Sequence, residues 1–187
     1  MEGNEQLAVI IPMLKKVGAG IGEKQLGAST PCSEFDVAGV LGHMTTLGTA
    51  LAEGFSGQVP AERTGESPQA GSDSSQLDAF QRAMDGLLVA VQSPGAMERT
   101  IEGPVGPMPG AVLARLVALD GLVHGWDLAT STQQAWTPSD DLVAEVDAFA
   151  RQALTPEMRG DAFGPELDPP DDAGSLQRLI AFSGRKV

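Results

Sequence analysis

Cysteine occurs once, at position 32, so the chain cannot close an internal disulfide, and zinc ribbons and CxxC redox pairs are out of reach. A lone thiol fits a reducing compartment. Basic residues are also few: 12 Lys and Arg stand against 25 Asp and Glu, a formal net charge of −13. That charge repels phosphate backbones and anionic lipid surfaces, which argues against nucleic acid and membrane as partners. No apolar run reaches the roughly 20 residues of a membrane span, and the start Met1-Glu2-Gly3-Asn4-Glu5 lacks the basic segment of a signal peptide. A cytoplasmic protein is the expectation. Only two histidines occur, His43 and His124.

What is present suits one domain spanning residues 1–187, since 187 residues with 42% hydrophobic and 20% charged can build a real core. Apolar residues recur at helical spacing in several stretches. The first runs from about residue 5 to 24, with Pro12 expected to kink or restart it. Asp36 is placed to cap a second, whose buried stripe is Val37, Val40, Leu41, Met44, Leu47 and Leu51. Gly54 to Ser75 has no period and the length of a crossover. A third helix, capped near Ser72 or Asp73, carries Leu77, Phe80, Met84, Leu87, Leu88 and Val91. The glycines and prolines of 103–110 forbid regular helix and favour turns or a short extended segment. After a fourth helix, Ala111 to Ser131, Pro138 opens a fifth with Leu142, Val146, Phe149 and Ala153 inward. Thr155 to Gly174 holds four prolines and reads as an irregular strap, followed by a short helix capped by Ser175 and ended by Gly184. Four long helices, a long crossover between the second and third, and extra C-terminal helices predict an all-α bundle. Bundles of this kind build cofactor and metal sites from inward side chains on facing helices.

The fourth helix, AVLARLVALDGLVHGWDLATS, carries the functional signal. At about 100° per residue, Leu113, Leu116, Val117, Asp120, Val123, His124, Asp127 and Leu128 share one face. Three polar side chains thus interrupt an apolar seam, and a carboxylate and an imidazole one turn apart are costly to bury unless something pairs with them. Asp120 and His124 stand at (i, i+4), the spacing of metal-ligand pairs on a helix; an ion pair between the two is the competing explanation. His43 lies at the edge of the second helix's stripe, within reach of a ligand role or of a backbone carbonyl. Asp127 could orient an imidazole or a bound water from behind, or serve in pairing near the helix end. Trp126 projects away from this face and reads as packing, and Cys32 as a semi-buried thiol in a loop before a helix.

The run Thr30-Pro31-Cys32-Ser33-Glu34-Phe35-Asp36 through Leu41-Gly42-His43 forms one half of a pattern. Val123-His124-Gly125-Trp126-Asp127-Leu128-Ala129 forms the other, and Leu179 to Arg185 makes a third match at the end. Together they resemble the DinB-like metal-binding family that contains the N-terminal domain of mycothiol-dependent maleylpyruvate isomerase, in its small stand-alone form. The resemblance implies a four-helix bundle holding a divalent metal, zinc or nickel, through a histidine of the second helix and an acid-xxx-histidine pair of the fourth. His43, Asp120 and His124 occupy those positions. The isomerase has glutamate where this chain has Asp120, the family usually has tryptophan where it has Phe35, and the isomerase's separate C-terminal domain has no counterpart in these residues. Two functions are therefore open. One is a thiol-dependent transferase or isomerase that acts on a small electrophile with a low-molecular-weight thiol such as mycothiol as cosubstrate; the other is a non-catalytic metal- or ligand-binding bundle, with a homodimer among its forms.

Overall fold

The computed structural model describes residues 1–57, 73–103, 106–155, 159 and 163–187. Most of the expected crossover, with Ser72 as a cap, lies outside the described residues.

Helix α1 (Gly3–Ala19) opens with the Glu2 amide donating to Glu5 Oε2 at 2.8 Å. It runs on through Pro12, contrary to the expected kink or restart. Pro12 sits on the exposed side, while Leu7, Ile10, Ile11 and Leu14 are buried opposite, and that burial outweighs one missing backbone donor. The helix also stops short of residue 24. Gly20 and Gly22 favour leaving it, and the chain makes a 3-10 turn at Glu23–Gln25 that still buries Ile21 and Leu26.

Helix α2 (Val37–Ser56) is capped as expected, with Asp36 Oδ1 accepting from the Gly39 amide at 2.7 Å, and ends at Gly57 with φ +73°. Helix α3 (Asp73–Val91) buries Phe80, Met84, Leu87 and Val91. The Gly/Pro-rich stretch after it forms an antiparallel hairpin, β1 (Thr100–Gly103) with β2 (Gly106–Pro109), pairing Ile101 with Met108. Helix α4 (Gly110–Thr132) follows directly and is buried on nearly all sides over its second half, as its central place in the bundle requires.

Ser139, whose side chain accepts from the Leu142 amide at 3.3 Å, caps α5 (Asp140–Ala153). Its buried face is Leu142, Val143, Val146 and Ala150; Phe149 and Ala153, expected inside, are only half-buried, and Phe149 lies under the Arg115 guanidinium instead. Helix α6 (Ser175–Phe182) starts one residue earlier than its expected cap allows. Gly174 is the capping position, its amide held by Gln177, and Ser175 is free to donate to Asp140. In the strap before α6, the Leu167 amide donates to the Ala181 carbonyl at 3.0 Å.

In the bundle, α1 packs on α3 and α4, and α2 packs on α3 and α4; α5 covers α4, and α6 covers α5. The protein is an all-α, DinB-like bundle. Among the described residues, no helix is long and apolar enough to cross a membrane.

Candidate metal centre

Two glycines on α4 set the direction of the polar residues beside them. A Cβ on Gly125 would fall 2.2 Å from the Trp136 ring, and one on Gly121 would fall 3.0 Å from the Ile10 side chain. The absence of side chains lets Trp136 and α1 close tightly on that side of the helix. Asp120 and His124 are left facing α2, where His43 meets them.

Asp120 Oδ1 lies 3.5 Å from His43 Nε2 and 3.5 Å from His124 Nε2. One ligand atom from each of the three side chains can be chosen so that all lie within 4.8 Å of one another. The two imidazoles meet edge to face with centroids 5.0 Å apart, and Phe35 stacks on His43 at 5.6 Å. Behind His124, Asp127 Oδ2 is 3.0 Å from Nδ1, and Arg185 Nε is 3.4 Å from the same oxygen. Asp127 is fully buried.

These contacts assign the protons. An ionised carboxylate only accepts, so His124 Nδ1 carries the hydrogen that Asp127 takes, and in the neutral ring Nε2 presents a lone pair. That lone pair faces the Asp120 oxygen, an acceptor facing an acceptor. The 3.5 Å separations exceed a normal N–H···O bond. His43 Nε2 is itself buried and has no hydrogen-bond partner among the described residues. A shared proton or a cation reconciles the three groups. Two imidazole nitrogens and one carboxylate, with an imidazole oriented from behind by a second carboxylate, are the donor chemistry of a divalent site with open positions. The residues therefore fit the metal that their pattern implies.

Electrostatics agree with this geometry. Burial penalises the charged forms of both Asp120 and His124, yet the neighbours prevail. Against that burial, His124 and then His43 hold the Asp120 carboxyl below the usual carboxylate range, while Asp120 and Asp127 raise the His124 imidazole above its ordinary value.

A family model described as the mycothiol maleylpyruvate isomerase N-terminal domain matches residues 11–129, a span that contains Phe35, His43, Asp120, His124 and Asp127. The chain belongs to this family. Two relatives resemble most of the chain. The uncharacterized proteins MT0763 and Rv0738, from two strains of Mycobacterium tuberculosis, are each 33% identical over 171 residues, covering 90% of this chain and 90% of the relative. No solved structure matches the chain significantly. Membership makes this a mycothiol-related, DinB-like domain.

Within that family setting, the structure brings His43, Asp120 and His124 together and puts Asp127 at the back of His124. Trp126 is half-buried against the apolar core, and Cys32 is buried rather than semi-buried, with its amide bonded to Thr30 Oγ1. Sequence reasoning missed Arg185. Its signal was present in the terminal Leu179 to Arg185 match, but nothing local connects that segment with α4.

Proposed function

We propose that this protein binds one divalent ion, zinc or nickel, through His43 Nε2, an Asp120 oxygen and His124 Nε2, and serves as a thiol-dependent transferase or isomerase. A mycothiol-type thiol and a small electrophile are its partners; its net charge of −13 disfavours nucleic acid, and the cytoplasm is the compartment. One observation carries the reading: two imidazole nitrogens and a carboxylate oxygen converge without normal hydrogen bonds among the described residues to pair them.

When bound, the ion supplies Lewis acidity that lowers the pKa of a thiol or water at neutral pH. The chain's own groups do the rest. Asp127 fixes the His124 tautomer and ring plane, and Phe35 holds the His43 ring by stacking. His124 is sealed from solvent, while the His43 and Asp120 side chains remain 32% and 21% exposed, so small molecules approach from the α2 side. In the transfer, the thiol gives its proton to solvent, sulfur bonds to an electrophilic carbon, and the electron pair of that carbon's π bond shifts onto the electrophile, which takes a proton back from solvent.

A second reading, the non-catalytic binder, is favoured by the cavity next to Asp120. It is lined by Leu14, Met44, Met84 and Val117 among others and measures about 20 Å³, little more than the room a water needs. Cobalt-substituted protein separates the two. Added mycothiol or glutathione should produce a sulfur-to-cobalt charge-transfer band; a cobalt protein that stays spectrally unchanged would leave the passive binder.

A further inference from the structure

We propose that Arg185 is a positioning residue of the metal centre: it holds Asp127 so that Asp127 keeps His124 in the tautomer whose Nε2 lone pair faces Asp120 and His43. The proposal rests on the metal-binding reading above and goes beyond it, because Arg185 lies outside the residues 11–129 shared with the family.

Arginine is seldom buried unless paired, yet Arg185 is only 6% exposed and its charged partner Asp127 is 0% exposed. Asp127 Oδ2 is approached by both the His124 Nδ1–H at 3.0 Å and the Arg185 Nε–H at 3.4 Å, while Oδ1 has no partner among the described residues. One oxygen therefore joins the guanidinium to the imidazole. Fifty-eight residues separate Asp127 from Arg185, so the contact is made by the fold and not by a helix turn.

The backbone is bent to deliver this side chain. After α6, the Gly184 amide donates to Ala181 and the Arg185 amide to Ile180, and Gly184 adopts φ +90°. A Cβ at Gly184 would stand 2.7 Å from Gly164 Cα, so only glycine passes the strap there and turns Arg185 inward. A buried ion pair made for stability alone would not need to share its oxygen with an imidazole. Without the guanidinium, His124 is the one hydrogen-bonding partner left to the Asp127 carboxylate among the described residues, and the imidazole can settle with its hydrogen on Nε2. That tautomer offers no lone pair to an ion.

The test compares zinc and cobalt dissociation constants, by chelator competition, for the full chain and for R185M, R185K, D127N and D127N/R185M. Loss of an outer partner typically weakens metal binding by 10- to 100-fold, so R185M should bind about 10-fold more weakly, with R185K recovering part of that loss. In the D127N background the R185M change should have no further effect, since Arg185 acts through Asp127. Nitrogen-15 NMR of the metal-free imidazoles should show the Nδ1–H form of His124 in the wild type and a mixture in R185M. R185M binding within twofold of wild type, or losses that multiply in the double variant, would overturn the proposal. Should R185M alone not fold, the double variant, which removes both buried charges, decides against D127N. A wild-type chain that takes up no metal refutes the metal-binding reading and this inference together; a wild type that binds with R185M unchanged refutes this inference alone.

Discussion

Acidification should strip the metal well before it unfolds the chain, and the size of the effect follows from the contacts of His124. The ion requires neutral imidazole, whereas Asp120 and Asp127, prevailing over burial, raise the pKa of His124 above its ordinary 6.5 in the metal-free protein. Below that raised pKa the ion must displace a proton, and apparent affinity falls about tenfold, or about 1.4 kcal/mol, for each pH unit. The metal-free protein behaves in the opposite sense. A raised histidine pKa contributes stability that is present in full below the unfolded value and is lost as pH rises through the folded one. Asp120, whose pKa is lowered from 3.8, contributes stability above that value and loses it as pH falls through the depressed one. Metal-free protein should therefore draw most from these two groups between those limits, while the gain in melting temperature on adding zinc should shrink steadily from pH 8 to pH 5. Chelator competition and paired thermal melts across that range measure both trends. Equal zinc affinity at pH 7.5 and pH 5 would refute two-histidine ligation.

Asp120→Glu restores the acid of the isomerase and should keep metal binding. Asp120→Ala removes the one carboxylate that, among the described residues, faces both imidazoles and should weaken binding by more than the roughly 100-fold that outer partners cost, as read by the same competition assay. Gln133, exposed at the end of α4, adopts a left-handed φ of 58°, a conformation that costs a side-chain-bearing residue about 1 kcal/mol; Gln133→Gly should therefore raise stability by about that much in a denaturant melt without altering metal affinity.

Much of the bundle was legible because helical periodicity is a local property. The fourth helix, expected at Ala111 to Ser131, is observed at Gly110–Thr132, and the Asp36 cap needs only three residues of chain to form. The candidate site was legible for two reasons. Asp120 and His124 are one turn apart, and a chain with only two histidines leaves few combinations to weigh. What could not be read involves tertiary compensation. Pro12 remains helical because the opposite face of α1 is buried, a fact about α3 and α4 rather than about the tripeptide around Pro12. Phe149 leaves the core for the Arg115 guanidinium, which stacks on it from α4, and Ser175 yields its capping place to Gly174 because Asp140 and Gln177 offer better partners to each. Arg185 is the extreme case: no periodicity or motif spacing ties a residue beyond α6 to a carboxylate on α4. Its importance appears only when the two buried charges are found side by side.

Metal stoichiometry measured on tag-free protein tests the central claim most directly. Elemental analysis of the wild type beside His43→Ala and His124→Ala, each loaded with zinc and then desalted, should find one ion per chain in the wild type and far less than one in either variant. Zinc absent from the folded wild type, or retained in full by both alanine variants, would contradict a centre built from His43, Asp120 and His124.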